Sequence, residues 1–195
     1  HQQPGRPSMG AWMSYGLGSA NDNLPTFCVL ISNGTGRPGS QPVYTKLWSS
    51  GFLPSVHQGV QFRGGKTPVL YLNSQPGESV EARRRMINRI EALNQLQLDT
   101  FGDPEIATRI AQYEMAFRMQ AEAQDVFDLG KETKEIREAY GTGQFANGCL
   151  AARRLVESGV RMVQVYYGNG QPWDDHGNIK SHADKAKNVD QPIAA

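Results

Sequence analysis

Three short apolar runs stand out along the chain and predict strands. Residues 26–32 are continuously apolar at their centre and are bounded by Pro25 and Asn33, which is typical of a strand buried on both faces. Residues 68–72 and 161–167 show the same kind of pattern. Because the last of these follows directly on a helical segment, the alternation indicates α/β layering.

Apolar positions at helical spacing predict the helices. A short helix opens after Pro7, and a helical block spans about residues 79–158. Asp103 followed by Pro104 predicts a capped helix start, and further helices are expected over residues 132–140 and from Gln144 onward. The residues that define these faces are Met9, Trp12, Met13 and Leu17, then Val80, Ile87, Ile90 and Leu93, then Ile106, Ile110, Tyr113 and Phe117, and last Phe145, Cys149, Ala152 and Leu155. Arg83, Arg84, Arg85, Arg153 and Arg154 are expected to face water.

Residues 33–67 show no sustained periodicity and contain seven glycines, so the sequence predicts a long loop rich in glycine and proline. Gly34–Gly39 matches the dinucleotide pattern G-x-G-x-x-G, which would indicate a nucleotide-dependent oxidoreductase. Pro38 and Pro42 obstruct the helix that must open at such glycines, and we therefore favour a turn-rich loop. Asn33-Gly34-Thr35 also fits a glycosylation sequon, a short and weak pattern.

Composition limits the function classes. The 195 residues suit one domain with its own core. Twenty basic and nineteen acidic side chains leave a net charge of +1, too small for the positive field that nucleic-acid or membrane-surface binding needs. No run approaches the length of a membrane-spanning helix. Cys28 and Cys149 lie among apolar neighbours and are expected to be free thiols in apolar surroundings.

A cluster of metal-binding residue types follows the last predicted strand. Asp174, Asp175 and His176 stand together on a loop that leaves the carboxyl end of that strand, where ligands bind in open α/β sheets. Carboxylate and imidazole together suit zinc, manganese or iron. His182 could be a further ligand, a group that orients a ligand, or a helix-surface residue. A solvated polar turn is the alternative to a metal site.

Two residues near the start of the chain are candidates for substrate binding. Ser8 follows Pro7 at a helix start, where its hydroxyl could cap the helix or face a phosphate or ester. Arg6 beside it could hold an oxyanion with two hydrogen bonds. His57 lies in the long loop without an identifiable partner and is left unassigned.

Ordered sequence blocks along the whole chain resemble one family, the domain-of-unknown-function 1501 family. The blocks that carry this resemblance are Gly5–Trp12, Tyr15–Gly18, Asn23–Pro25, Ser50–Pro54, Gln58–Phe62, Tyr113–Ala116, Arg118–Gln120, Val126–Leu129, Ala151–Glu157 and Trp173–Asn178. The resemblance implies an α/β fold over residues 1–195, a partial sandwich similar to alkaline phosphatases and sulfatases, with a mostly parallel sheet and flanking helices. It also implies that divalent metals are held by Asp and His at the strand ends.

By that resemblance Asp174 and His176 become the expected metal ligands, for zinc, manganese or calcium, and Arg6 and Ser8 the expected substrate contacts. The implied function is a metal-dependent hydrolase of phosphate or sulfate esters with a small-molecule substrate, in a bacterial protein exported to the periplasm. We expect this chain to be a piece cut at both ends, inactive by itself, with more ligands beyond Ala195. Laid over the sulfatase nucleophile motif, Gly5 takes the nucleophile position and Met9 the arginine position, which favours an exported non-catalytic binding protein as the alternative.

Overall fold

The structure is a computed structural model that describes residues 5–33, 42–62 and 79–195, without the side chains of residues 80, 120 and 121. Short 3-10 turns cover Thr45–Trp48, Ser55–His57 and Leu129–Lys131. The helices and strands are, in chain order, α1 (Met9–Leu17), β1 (Phe27–Ile31), β2 (Val60–Phe62), α2 (Val80–Phe101), α3 (Pro104–Phe127), α4 (Lys134–Tyr140), α5 (Gln144–Glu157), β3 (Met162–Tyr166) and α6 (Ser181–Ala194).

The described strands form an all-parallel sheet of three in the order β2-β1-β3. Cys28 lies opposite Val60 on one side and Val163 on the other, so the earliest strand in the sequence is the central one. Every residue of β1 is buried. The α/β class and the strands at 26–32 and 161–167 are therefore confirmed, and the continuous apolar run of β1 reflects burial on both faces.

Successive side chains of β1 enter two different cores, as the two-residue period of a strand requires. Cys28 and Leu30 point to the side covered by α3 and α5, where they join Leu24, Phe62, Met119, Ala123, Val126, Ala151, Leu155 and Val160. Phe27, Val29 and Ile31 point to the opposite side and pack with Trp48. The sheet is thus packed on both faces, and its carboxyl edge remains as the place where loops meet.

Helix α1 packs through its small residues. Gly10, Ala11 and Ser14 are buried, whereas Trp12 and Leu17 are exposed, so the large apolar side chains at helical spacing do not form its packed face. A Cβ atom on Gly10 would lie 2.5 Å from the ring of Phe27. The close approach of that ring explains why small residues, and not the larger ones, face the sheet.

The predicted helix starts agree with the observed caps. Asp103 accepts a hydrogen bond from the Glu105 backbone N–H, and α3 begins at Pro104 as predicted. Ser8 caps α1 in the same way through the backbone N–H of Ala11. Side-chain oxygens at these positions satisfy backbone N–H groups that have no partner within the helix.

The packed face of α2 differs from the prediction. Ile87 is buried, but Leu93 is exposed and Asn94 takes the buried position instead. At 100° per residue, Asn94 follows Ile87 by about two full turns, whereas Leu93 lies about 120° away. The side chain of Val80, the first residue of the predicted face, lies outside the described part.

The prediction that Arg153 and Arg154 face water is wrong. The Arg154 guanidinium, with 15% of its side chain exposed, pairs with Glu132, of which 9% is exposed. It also donates to the backbone carbonyls of Val126 at 2.8 Å and Asp125 at 2.9 Å, at the end of α3. Arg153 pairs with the other oxygen of Glu132 at 2.6 Å. The two arginines therefore join α5 to the end of α3 and to the segment before α4.

Part of the long loop forms regular structure that its sequence does not indicate. Its described part, residues 42–62, contains two 3-10 turns and β2, which pairs with β1. The glycine pattern Gly34–Gly39, the predicted strand at residues 68–72 and most of the Asn33 sequon lie outside the described residues. Within the described ranges, no helix combines the length and the apolar character needed to cross a bilayer.

Candidate metal pair and substrate contacts

The candidate site begins where β1 and β3 end side by side. The Ser32 hydroxyl donates to the Tyr166 carbonyl at 3.1 Å and accepts from the Gly168 backbone N–H at 2.9 Å. Gly168 has a φ of 86°, a conformation in which glycine is favoured. This link fixes the direction in which the chain leaves the sheet, toward the loop that carries Asp174 and His176.

Asp174 and His176 lie next to each other on this loop. The Asp174 Oδ1 atom is 2.8 Å from the His176 Nδ1 atom, and the two side chains are 52% and 85% exposed. At that distance the imidazole and the carboxylate hydrogen-bond directly to each other, whereas in a tetrahedral zinc site with bonds of about 2.0–2.1 Å two ligand atoms lie roughly 3.3 Å apart. The donor types suit two neighbouring positions around one divalent metal, and a rotation of these exposed side chains that separates the two atoms by about 0.5 Å would make room for it.

Asp175, which stands between Asp174 and His176 in the sequence, has a structural role. Its carboxylate accepts hydrogen bonds from the Ser181 hydroxyl at 2.5 Å and from Lys185 Nζ at 3.1 Å. Both donors lie on α6, and the ion pair with Lys185 is largely shielded from solvent. Asp175 therefore anchors the loop to α6, which leaves its two neighbours facing outward.

His182 closes the same loop. Its Nε2 atom lies 2.9 Å from the Trp173 carbonyl oxygen and its Nδ1 atom 3.0 Å from that of Ile179, and the ring stacks on Trp173 at 6.0 Å. With a backbone carbonyl against each ring nitrogen, His182 holds the loop in shape. Among the described residues, no three His, Cys, Asp or Glu side chains lie close enough together to hold one metal ion. In this structure His182 does not complete such a group with Asp174 and His176.

Arg6 and Ser8 lie beside residues 49–51 at the start of α1, and not on the loop that carries Asp174 and His176. The Ser8 Oγ atom accepts from Ala11 N at 3.2 Å, and Ser8 N donates to the Ser49 carbonyl at 3.0 Å. Gly51 packs so close that a Cβ atom there would lie 2.4 Å from the Arg6 carbonyl carbon. These contacts belong to α1 and residues 49–51, and the described hydrogen bonds do not join this pair to Asp174 or His176.

A contact between Ser14 and His57 was missed by the sequence analysis. The Ser14 Oγ atom lies 3.0 Å from the His57 Nδ1 atom, although 43 residues separate them. The edge of the Tyr15 ring also meets the imidazole, at 5.4 Å between centroids. Since Ser14 is only 5% exposed, its hydroxyl is closed to a substrate, and the pair ties α1 to the 3-10 turn Ser55–His57.

We expect the protein to lose stability as the pH falls through the range where His57 titrates. Burial lowers the pKa of His57 from its ordinary value of 6.5. The unfolded chain therefore binds more protons below pH 6.5, so the contribution is complete above that pH and is lost on acidification toward the lowered pKa. The elements packed against the turn that carries His57 include α1 and α3. Helix α1 carries no charged residue, and the Glu105 carboxylate of α3 accepts a hydrogen bond from Ser55.

Urea unfolding at pH 7.5 and 5.5 measures this loss, with His57→Asn as the matched control. Asparagine keeps a polar atom near the position of Nδ1 but does not titrate. The fall in unfolding free energy between the two pH values should be smaller in the variant. An identical fall in both proteins would assign the effect to other groups.

Comparison with known proteins identifies the family. A family model described as "Protein of unknown function (DUF1501)" matches residues 1–195. No curated protein and no solved structure matches the chain. The match covers every residue, including the segment of α1 and the loop of Asp174 and His176, and it confirms the resemblance in the sequence blocks. This chain therefore belongs to the DUF1501 family.

Proposed function

We propose that the complete natural protein is a metal-dependent hydrolase of phosphate or sulfate esters, with Asp174 and His176 as two of the metal ligands. The observation that carries the proposal is the 2.8 Å pair of carboxylate and imidazole at the carboxyl end of β3. Both side chains are exposed, so a cation can reach them. Zinc or manganese suits this mixture of donors better than calcium, which prefers oxygen ligands.

A divalent metal, when bound there, would polarise the ester and lower the pKa of a coordinated water. The contributions of the chain itself are charge and position. Asp174 would offset the positive charge, and His176 would present a ring nitrogen. The bonds of Asp175 and His182 restrict the movement of the loop, which lowers the cost of ordering the two ligands. The role of Arg6 and Ser8 as substrate contacts stays a separate prediction from the family resemblance, because the described hydrogen bonds of Ser8 join it to α1 and Ser49 and not to Asp174 or His176.

The deciding experiment combines metal titration with turnover in the complete natural protein. Asp174→Ala and His176→Ala should each weaken zinc or manganese binding at least tenfold and remove most hydrolysis of 4-nitrophenyl phosphate or sulfate. Asp190→Ala removes an exposed carboxylate from α6 and should change neither quantity. Metal affinity and turnover that stay unchanged in both site variants would refute the proposal.

A second candidate is an exported protein that binds a ligand without hydrolysing it. The observation in its favour is the absence of a nucleophilic side chain at Gly5, together with the use of the Ser8 oxygen as a helix cap. Turnover of any compound in a panel of phosphate and sulfate esters would exclude this candidate. Export to the periplasm is likewise a proposal from the family resemblance, and fractionation of the host cells tests it.

A further inference from the structure

A cavity of about 740 Å³ opens at the carboxyl end of β3. Its lining comes from four places: residues 42–47, the end of β3 with the loop after it, Phe145 of α5, and Val189 and Ile193 of α6. The volume is within the range of small-molecule sites, which are mostly apolar and carry a few polar groups. Asp174 is part of the wall, so the cavity adjoins the candidate metal pair.

One wall of this cavity consists of aromatic rings that hold one another in place. The ring of Tyr167 meets Phe145 at 5.4 Å and Trp173 at 5.5 Å between centroids. The Tyr167 hydroxyl accepts a hydrogen bond from the Asn188 side chain at 3.2 Å. Trp173 nevertheless remains exposed. A ligand ring can therefore pack against a surface that is already ordered, which reduces the entropy lost on binding.

Other apolar side chains of the lining are open to solvent. Tyr44, Leu47 and Ile193 all line it and are all exposed. Apolar surface that is concentrated around a concave site, rather than scattered singly, marks a binding surface. A ligand ring that packs edge-on or face-on against aromatic side chains gains interaction energy beyond that of the area it buries.

The charged groups indicate how a ligand would be oriented. Lys46 and Asp174 both line the cavity. The Lys46 ammonium lies 5.1 Å from the centroid of the Tyr44 ring and attracts an anion. The Asp174 carboxylate repels an anion unless a cation lies between them, and its place beside His176 is where the proposed metal would supply that cation.

We propose that this cavity binds an aromatic ring, and that the substrate of the proposed hydrolase is an aryl monoester whose anionic group faces Asp174 and Lys46. The second clause rests on the proposed function, whereas the first does not. The ring would lie between the wall of Tyr167 and Trp173 and the side chain of Ile193.

Binding of 1-naphthol, measured by fluorescence and calorimetry with the full chain and no metal, tests the first clause. We expect saturable binding that weakens at least tenfold in Ile193→Glu, which places a charge in the cavity. Leu96→Glu makes the same change on the exposed side of α2, with 64% exposure against 69% for Ile193, and should leave the affinity unchanged. Circular dichroism of both variants checks that they fold.

Absent binding, or equal affinity in the two variants, would overturn the cavity assignment. Affinity that falls as the chain concentration rises would show that a second copy occupies the cavity and would also overturn it. In the complete protein, hydrolysis of 1-naphthyl phosphate should exceed that of hexafluoroisopropyl phosphate, a non-aromatic ester whose leaving group is of similar acidity, at least tenfold in kcat/KM, and Ile193→Glu should remove most of this preference. Equal rates for the two esters refute the aryl substrate alone, while unchanged metal binding in the Asp174 and His176 variants refutes the hydrolase alone.

Discussion

Replacement of Phe27 with alanine should lower the free energy of unfolding by about 3 to 5 kcal/mol, which is the usual cost of removing a buried aromatic ring. Phe27 is 1% exposed and fills the space between α1 and the start of β2. Cβ atoms added at Gly10 and Gly59 would lie 2.5 Å and 2.8 Å from its ring. Because glycines surround the ring, few side chains can move in to fill the space that it leaves. Urea unfolding followed by circular dichroism measures the loss.

A double-mutant cycle with Gly10→Ala tests the cause of this effect. Alone, Gly10→Ala should destabilise the protein by about 1 to 3 kcal/mol because its methyl group overlaps the Phe27 ring. In the Phe27→Ala background that penalty should vanish. Gly16→Ala in the same helix meets nothing within 4 Å and should stabilise by up to about 1 kcal/mol. Strict additivity of the Phe27 and Gly10 substitutions would contradict the packing described for α1.

Replacement of Arg154 with alanine should lower the unfolding free energy by about 2 to 3 kcal/mol. The change removes one of the two arginine partners of the shielded Glu132, leaving Arg153, and also removes two hydrogen bonds to the carbonyls at the end of α3. Hydrogen bonds from Arg153 and Arg154 lower the pKa of Glu132 from its ordinary value of 4.5. The pair therefore contributes fully above pH 4.5, and its contribution falls as the pH drops below that value.

Arg118→Ala is the matched control, because it removes an equal charge from an exposed position on α3. Its effect should be within about 0.5 kcal/mol of zero. Thermal unfolding at pH 7 and pH 3.5 should show a large difference between the two variants at the higher pH and a smaller one at the lower. A difference between the two variants that is equally large at both pH values would mean that the Glu132 pair does not account for the effect.

Elements with a strong local signal were predictable from the sequence. The apolar run of β1 and the cap at Asp103 needed only neighbouring residues to be recognised. Strand β2 could not be predicted, since it has three residues of which only Phe62 is buried, and it exists because β1 offers hydrogen bonds beside it. Pairing of this kind depends on distant residues, which a local pattern does not contain.

The candidate site also has features that the sequence predicted and features that it could not predict. Asp174 and His176 are close in sequence, so the sequence alone predicted that these two potential metal ligands share one loop. The tasks of Asp175 and His182 depend on how α6 packs, and the contact of Ser14 with His57 joins positions 43 residues apart. The lining of the cavity likewise comes from four separate segments, so nothing in any one of them indicates it.

The central position of β1 has a consequence for synthesis on the ribosome. Ser32, at the end of this strand, meets its partner Tyr166 only 134 residues later in the chain. At about 5 to 20 residues per second, the strand waits roughly 7 to 27 s after its own translation before β3 emerges. During that interval five consecutive apolar residues have a free edge that can pair with another nascent chain. We therefore expect the yield of soluble protein to depend on translation rate and on chaperones that bind short apolar segments.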